Sequence, residues 1–585
     1  MRAGSFEERS LLEQAVQAAV SGASFTPFTE GPAGAVDRRR GAAHSAGAVF
    51  RSMLGQDFGL GQPGARERVG TESSPYGIGL GVRYLRSEPG ELVRAAVRAM
   101  AGWRAAGPRR RAELAVEMLC LLHDRSHEIA HALHHTTGQA YATAHRAGGP
   151  HAQDRGLEAV AHALAASLRT PAAGYGARLA ERGGPLQMDV PPTTDGTCTV
   201  VPRGVSLLIG CPDFPTWNGY PGLFASLVTG NPVIVKPHPR AVLPLALTVQ
   251  VARDVLKKAG HDPNVVTLAA EKPGEQLASR LATDPEVRVI DFTGSVRFGD
   301  WLGRNARQAT VFATSTGAGT VLVDSTDGYR RMLRELALSL SLCSGQSCTS
   351  PQNILVPSAG IRTDEGHKSI GRFSVDLSRA VKRLLTEPRR AAGILGAIGS
   401  DRIRTSLAHA AGCGMVVHAS EPVAHPDHPA ADIRTPLIVR LESHDEQVYA
   451  REWAGPVSFV IATESTSHSL DIFRRTARRH GGQYATVHST DPLVLGAVEI
   501  AALDAGVHLS ENLAASVFMD QSAVYGDFCG TEVSPGAHSA LADPSFVTGR
   551  FRVVQSRRPA LRRESRPLAD AEYEGAGRRQ ETVAQ

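Results

Sequence analysis

Cysteine is scarce in this sequence, and its spacing suits neither a disulfide framework nor a zinc site. The 585 residues include seven cysteines, an odd number, scattered between Cys120 and Cys529. Disulfide-stabilised secreted domains carry even, closely spaced sets of cysteines, and structural zinc sites need close pairs of ligands. We therefore expect a reducing compartment, the cytoplasm, and no metal site.

Long apolar runs and a strong excess of one charge are also lacking. No stretch is long and apolar enough to span a bilayer, and residues 1–9 turn acidic without the apolar core of a signal peptide. The net charge is only +5, from 63 Lys+Arg against 58 Asp+Glu, and aromatic residues make up 5% of the chain. Much of the basic excess lies in residues 38–40 and beyond Gln555. We expect neither a membrane nor a nucleic acid as a partner.

Between about residues 198 and 325, short apolar runs alternate with helical stretches. The runs are 205–209, 232–236, 265–269, 287–292 and 320–323. A helix is predicted over 242–259, where two lysines and then Gly260 are typical of a helix C-terminus. This alternation predicts an α/β fold with a doubly wound parallel sheet, which binds ligands at the carboxyl ends of its strands.

Two features of this sheet are candidate nucleotide contacts. Gly294 and Ser295 lie where a strand turns into a helix, so their backbone N–H groups can face a pyrophosphate. The alternative is an ordinary tight turn. Lys236 ends its strand, where it can bond an adenosine ribose or serve only as a surface cation.

Three further residues are candidates for covalent chemistry. Cys348 ends Gly345-Gln346-Ser347-Cys348, just after a helix predicted over 329–342, and a thiolate there can attack a carbonyl carbon. Asn218 has an amide that can hold the resulting oxyanion, and Glu452 has a carboxylate. The alternatives are a buried structural thiol, a turn residue and a turn cap.

Taken in this order, these segments resemble the aldehyde dehydrogenase superfamily over roughly residues 90–555. The resemblance implies a Rossmann-type cofactor domain, a second α/β catalytic domain and a small oligomerisation element, assembled as a dimer or tetramer. It implies the following site residues: Cys348 as the nucleophile, Asn218 and the Cys348 N–H as the oxyanion hole, Gly294 and Ser295 under the pyrophosphate, Lys236 at the adenosine ribose, Glu452 at the nicotinamide ribose, and Trp217 beside the cofactor.

Within that superfamily the chain is most similar to the phenylacetate-degradation branch (PaaN, related to the dehydrogenase half of PaaZ). Residues 148–156, 216–226 and 551–557 carry this likeness. The branch is implied to oxidise a small CoA-linked aldehyde, the ring-opened 3-oxo-5,6-dehydrosuberyl-CoA semialdehyde.

Three positions depart from the superfamily's pattern. Thr314 stands where the general-base Glu is expected, and loss of such a base slows catalysis by about a hundred- to ten-thousand-fold. Ala454 replaces an aromatic residue near the nicotinamide. Pro239 replaces a Glu that would hold the ribose hydroxyls, which favours NADP, although either NADP or NAD is expected.

The missing base leaves alternatives open. One is a CoA-acylating aldehyde dehydrogenase or acyl-CoA reductase, in which a thiol releases the acyl group. Another is a hydrolysis-deficient paralogue with a binding or biosynthetic role. In each case the predicted organisation is a flexible N-terminal arm (1–70), N-terminal helices with the cofactor domain (71–325), a catalytic domain (326–520), a segment returning to the cofactor domain or serving oligomerisation (521–555) and a disordered tail (556–585).

Overall fold

The computed structural model describes residues 6–23, 25–30, 36–170, 177–178, 193–315, 317–346, 350–480, 484–513 and 544–559. The chain divides into two units. The first unit, Met1–Arg169 with Val200–Arg552, contains two large sheets and the candidate site. The second unit, Thr170–Thr199 with Val553–Gln585, contains most of a three-stranded sheet.

The strands of the described residues are numbered in chain order. They are β1 (Ala65–Val69), β2 (Tyr84–Ser87), β3 (Ala177–Arg178), β4 (Thr193–Pro202), β5 (Val205–Ile209), β6 (Val233–Lys236), β7 (Val266–Leu268), β8 (Val287–Gly294), β9 (Thr310–Ser315), β10 (Gly319–Val323), β11 (Ser325–Thr326), β12 (Pro351–Pro357), β13 (Arg362–Thr363), β14 (Met415–His418), β15 (Leu437–Glu442), β16 (Val457–Thr463), β17 (Tyr484–His488), β18 (His508–Glu511) and β19 (Phe551–Pro559).

The helices are numbered in the same way. They are α1 (Phe6–Ser21), α2 (Val36–Met53), α3 (Pro89–Ala105), α4 (Gly107–Asp124), α5 (Ser126–Thr137), α6 (Tyr141–Gly148), α7 (Pro150–Leu168), α8 (Pro215–Val228), α9 (Leu243–Lys258), α10 (Leu277–Ala282), α11 (Val296–Asn305), α12 (Tyr329–Ser341), α13 (Ile370–Leu384), α14 (Pro388–Ile394), α15 (Asp401–Ala411), α16 (Glu446–Tyr449), α17 (Thr466–His480), α18 (Pro492–Ala505) and α19 (Pro544–Thr548). Within the described ranges, none of them has both the length and the hydropathy needed to cross a bilayer.

The first large sheet has five parallel strands in the order β7-β6-β5-β8-β9. Every residue of β5 and β6 is buried, because helices cover both faces of the sheet, and such strands read as continuous apolar runs. Ile209 pairs with Lys236 on one side and Phe292 on the other, so three strands end together. The predicted doubly wound sheet is confirmed.

The predicted strand at 320–323 does not belong to this sheet. As β10 it lies inside a seven-stranded sheet of order β14-β15-β16-β12-β10-β17-β18, in which only the β14–β15 pair is antiparallel. The fifth strand of the first sheet is instead β9, which the sequence reading missed. An apolar run predicts a strand but not its partners, and the seven-stranded sheet therefore begins with β10, before residue 325.

The predicted flexible arm is partly wrong. Helices α1 and α2 form within residues 1–70, and Leu12, Phe50 and Leu60 are buried in the same core as α4, α5 and α7. Their Ala- and Arg-rich sequences favour helix without a strong apolar stripe, so tertiary packing decides their order. In the predicted tail, residues 556–559 belong to β19, and residues 560–585 lie outside the described part.

Candidate active site

A cleft of about 510 Å³ opens where β5, β6 and β8 end and the turn after α12 approaches. Both large sheets contribute to its walls. Of the residues predicted from the sequence, it brings together Asn218, Lys236, Gly294, Ser295 and Glu452. The arrangement agrees with the rule that parallel sheets bind ligands beyond the carboxyl ends of their strands.

The β8–α11 turn forms one wall of this cleft. Ser295 caps α11, and its side chain accepts a hydrogen bond from the Phe298 N–H at 3.4 Å. The first N–H groups of a helix lack partners inside that helix and favour an anion such as a pyrophosphate. Gly294 and Ser295 therefore fit the phosphate region of a dinucleotide.

Lys236 is less available than the sequence suggested. Its ammonium group forms an ion pair with the Glu271 carboxylate, whose second oxygen accepts a hydrogen bond from the Leu277 N–H at 2.9 Å. Both side chains are at least nine-tenths buried. Glu271 was missed in the sequence reading, because it lies beyond the end of β7 with no recognisable motif.

Three consecutive residues with positive φ shape the turn that precedes the predicted nucleophile. Cys343, Ser344 and Gly345 have φ of 51°, 51° and 61°. Ser344 Oγ donates to the Gly396 carbonyl at 2.7 Å, and Gln346 Nε2 donates to the Ala397 carbonyl at 3.2 Å. Left-handed non-glycine residues cost about 1–2 kcal/mol each, so these side-chain bonds help to hold the strained turn.

Cys348 lies outside the described residues, together with Ser347 and Thr349. The neighbouring residues Gln346 and Ser350 both line the cleft. The described residues on either side of these three therefore both lie at the cleft.

Replacing Gly345 with alanine is expected to disrupt this wall. A Cβ at this position would lie 2.8 Å from Pro456 N and 2.9 Å from the Gly455 carbonyl oxygen, and φ is already left-handed. We expect a loss of roughly 2–4 kcal/mol in unfolding free energy, from overpacking and the left-handed conformation. Urea unfolding of Gly345→Ala against the unaltered protein measures it.

Gly303 provides the matched control for that change. It lies in α11, and a Cβ there would meet nothing within 4 Å. Gly303→Ala should leave stability unchanged or raise it by up to about 1 kcal/mol. Equal stability of the two variants would contradict the proposed clash at Gly345.

Glu452 reaches the cleft from a loop fixed by Gln352 of β12. Gln352 Nε2 donates to the carbonyls of Tyr449 and Arg451 at 3.2 and 2.9 Å, and Gln352 Oε1 accepts from the Trp453 N–H at 2.9 Å. One buried side chain thus ties both ends of the loop to the central strands.

Asn218 lines the cleft from the first turn of α8, but its amide nitrogen already has partners. It donates to the Cys211 sulfur at 3.4 Å and to the Phe214 carbonyl at 3.2 Å. To act as an oxyanion donor, the amide must exchange one of these acceptors for the substrate oxygen.

Thr314 lies apart from the main cleft. It pairs with Thr293 in the sheet and lines a cavity of about 30 Å³, to which Asn218 also contributes. That cavity is large enough for a water molecule, but the Thr314 hydroxyl cannot act as a base at neutral pH.

Trp217, predicted to contact the cofactor, does not line the cleft. Its carbonyl accepts a hydrogen bond from Arg155 Nη1 at 2.7 Å, and the Arg155 guanidinium lies 4.7 Å from the centre of its ring. Its interactions are with α7 rather than with the nucleotide region.

Asp213 is a cleft residue that the sequence reading overlooked. Burial raises its pKa to about 6, against a lowering contribution from Arg240, and Glu452 adds a smaller upward effect. Its position just beyond the end of β5, where parallel sheets hold functional side chains, was the available signal.

A second thiol, Cys211, also lines the cleft. Its pKa is raised to about 11, mainly by burial and then by the Asp213 carboxylate. The thiolate is the reactive form of cysteine, so Cys211 stays protonated and inert near neutral pH.

Comparison with known proteins places this geometry in context. Residues 86–508 match the sequence profile described as "Aldehyde dehydrogenase family". A crystal structure of an NAD-dependent aldehyde dehydrogenase from Burkholderia multivorans superposes with a TM-score of 0.89 at 46% identity, covering 94% of this chain and 98% of that one. A structure of a 1-pyrroline-5-carboxylate dehydrogenase mutant from Thermus thermophilus is 18% identical and superposes with a TM-score of 0.69. The match covers 92% of this chain and 100% of that one, and at this identity it shows the fold alone.

Curated relatives are more distant. The N-succinylglutamate 5-semialdehyde dehydrogenase of Paraburkholderia xenovorans (strain LB400) is 27% identical over 294 residues, 49% of this chain and 54% of the relative. An acetylating acetaldehyde dehydrogenase of Bilophila wadsworthia (strain 3_1_6) is 26% identical over 195 residues, 33% of this chain and 35% of the relative. In the first of these matches the chain spans about half the length of its relative.

Proposed function

Because this chain belongs to the aldehyde dehydrogenase family, we propose that it oxidises an aldehyde to an acid with NAD or NADP, through a covalent adduct on Cys348. The observation that carries the proposal is a single cleft. It joins the helix cap at Gly294 and Ser295, the Glu452 loop, and the two residues Gly345 and Gln346 that lead to the nucleophile.

The site residues fall into two groups, those that form the covalent adduct and those that hold the cofactor. The Cys348 thiolate attacks the aldehyde carbon to form a thiohemiacetal, and N–H donors such as the Asn218 amide stabilise its oxygen. A bound cofactor would supply the hydride acceptor, and the acyl group would then remain on Cys348 as a thioester. Ser295 and the α11 N-terminus would hold the pyrophosphate of that cofactor, and Glu452 would hold its nicotinamide ribose.

Cys348 is favoured over the other thiols near the turn. Cys211 lines the cleft but is held protonated by burial, and Cys343 is 1% exposed and does not line the cleft. Cys348 lies in the sequence between Gln346 and Ser350, which both line the cleft.

For the substrate we propose the CoA-linked ring-opened semialdehyde of phenylacetate degradation, 3-oxo-5,6-dehydrosuberyl-CoA semialdehyde. Two of the segments that carry the likeness to that branch pack against each other behind Asn218. Thr216 Oγ1 donates to the Gly148 carbonyl at 3.0 Å, and Arg155 bonds Trp217. These bonds tie the start of α8, which carries Asn218 to the cleft, to α6 and α7. Assembly as a dimer or tetramer stays a prediction.

The ion pair at Lys236 bears on the choice of cofactor. A 2′-phosphate would meet an ammonium group that Glu271 already neutralises. This weakens the case for NADP made from Pro239, so we propose that NAD is used at least as well.

A CoA-acylating reaction is the second candidate. Thr314 provides no base for hydrolysis, and one of the relatives above is an acetylating enzyme. In that reaction a CoA thiol, rather than water, would release the acyl group.

The test is reduced-cofactor formation by the purified protein with the CoA-linked semialdehyde, with and without free CoA, in single-turnover and steady-state modes. Sustained turnover without CoA supports the hydrolytic enzyme, and turnover only with CoA supports the acylating one. A burst equal to the number of sites followed by silence under both conditions would identify a hydrolysis-deficient paralogue. Bound cofactor with no burst would contradict both enzymatic proposals.

A further inference from the structure

We propose that Asp213 is the general base that activates water to hydrolyse the Cys348 thioester, in place of the glutamate absent at Thr314. This rests on the proposed function, since it assigns the last step of the same reaction. It makes the chain a complete hydrolytic dehydrogenase without a carboxylate on β9.

A hydrogen bond to the backbone carbonyl of Asp213 fixes the position of the residue. Its carboxylate is left available for chemistry. Gln139 Nε2 donates to the Asp213 carbonyl, and the Gln139 carbonyl in turn accepts from the Tyr76 hydroxyl at 3.1 Å. Among the described residues, no hydrogen bond or ion pair engages the Asp213 carboxylate, although Arg240 and Glu452 act on it electrostatically. The carboxylate lines the cleft shared by Asn218 and Gln346.

The neighbouring carboxylates are committed elsewhere. Asp291, beside Thr314 in the small cavity, accepts two hydrogen bonds from Arg550 at 2.6 and 2.7 Å. Glu271 is paired with Lys236, and Glu452 is assigned to the nicotinamide ribose. Asp213 is the cleft carboxylate left for a proton transfer within the described part of the chain.

The protonation behaviour of Asp213 suits the role. Burial raises its pKa to about 6, so the carboxylate is mostly ionised at pH 7 to 8 and yet is more basic than an ordinary aspartate. A general base works best when its pKa lies near the working pH. The hydrolytic rate should therefore rise through about pH 6 and level off above it.

The step balances in atoms and charge. The water oxygen bonds to the thioester carbonyl carbon, and one water proton passes to the Asp213 carboxylate. The C–S bond then breaks with its electron pair on the Cys348 sulfur, which gives the carboxylic acid and a thiolate. Asp213 releases its proton to solvent, and no oxidant or reductant is consumed.

The experiment uses p-nitrophenyl acetate, which acylates the thiolate directly and reports hydrolysis of the acetyl-enzyme without aldehyde or cofactor. The Asp213→Asn variant should give a burst of nitrophenol equal to the number of active sites, since acylation of the thiolate does not use Asp213. Its steady-state rate should fall by about a hundred- to ten-thousand-fold, with the inflection near pH 6 lost. Peptide mass spectrometry should find acetyl-Cys348 accumulated in the variant.

Two further variants make the outcome decisive. Asp213→Glu keeps a carboxylate and should retain the inflection at a reduced rate, which separates a lost base from misfolding. Asp300→Asn, on the exposed face of α11, should change neither phase. An unchanged steady-state rate or pH profile in Asp213→Asn overturns the proposal, because hydrolysis of the acetyl-enzyme would then not depend on this carboxylate.

Failure of the proposed dehydrogenase function would look different. The acetyl-enzyme would form and hydrolyse through Asp213 as described, but no aldehyde would reduce NAD or NADP. The ester assay and the aldehyde assay therefore test the two proposals separately.

Discussion

Replacing Cys348 with alanine should lower the rate of aldehyde-dependent cofactor reduction by about 10⁴- to 10⁶-fold, as removal of a covalent nucleophile does in other enzymes. The reason is that Cys211, the other cysteine among the described residues that line the cleft, is held in its protonated form, with its pKa raised to about 11. Cofactor binding, measured by protein fluorescence quenching, should be preserved, because the helix cap at Ser295 and the Glu452 loop lie on other segments.

Cys413 gives the matched control for this change. It lies after α15, outside the residues that line the cleft, and its sulfur donates a hydrogen bond to the His409 carbonyl at 3.4 Å. Cys413→Ala should keep full activity. Substantial activity in Cys348→Ala would move the nucleophile to Cys211, and a Cys211→Ala variant would then lose the burst.

Replacing Arg550 with methionine should cost about 3–5 kcal/mol of unfolding free energy, the usual cost of breaking a buried ion pair. Arg550 is fully buried, and it donates two hydrogen bonds to Asp291 and a third, at 2.8 Å, to Ser226 Oγ. Its guanidinium also lies 4.3 Å from the ring centre of Phe312 and 4.2 Å from that of Phe546. Urea unfolding followed by tryptophan fluorescence measures the loss.

The double variant Asp291→Asn with Arg550→Met should be more stable than Arg550→Met alone, since it leaves no uncompensated buried charge. Arg552→Met, two residues further on and exposed, should shift stability by no more than about 0.5 kcal/mol. A loss below about 1 kcal/mol in Arg550→Met would contradict the central place given to this ion pair.

The sequence predicts the first large sheet well because its strands are buried on both faces. Runs such as 205–209 and 287–292 are mostly apolar along their whole length, as strands covered on both faces are. The helices predicted between them imply that the strands are parallel. Strand β9 escapes this reasoning because only Phe312 and Ala313 are buried among its described side chains, and because it ends in hydroxyl residues. The N-terminal helices escape it because their order depends on packing against α7 and α5 rather than on their own pattern.

Candidate site residues were predictable where they belong to a motif and unpredictable where only three-dimensional proximity defines them. Gly294, Ser295 and Glu452 fall in recognisable segments and line the cleft. Asp213 and Glu271 are single acidic residues beyond strand ends, and their partners lie far away in sequence. The hydrogen bonds that occupy the Asn218 amide and the ion pair that neutralises Lys236 depend on interatomic distances, and the residue types alone do not give those distances.

The ion pair of Asp291 and Arg550 also has a consequence for synthesis of the chain. All five strands of the first large sheet have left the ribosome once residue 315 has emerged. Arg550, the partner of Asp291, is synthesised 259 residues after Asp291. During that interval the carboxylate sits in a nearly finished sheet without its cation. The sheet can therefore form during translation, but it reaches its full stability only after Arg550 has been synthesised and has paired with Asp291.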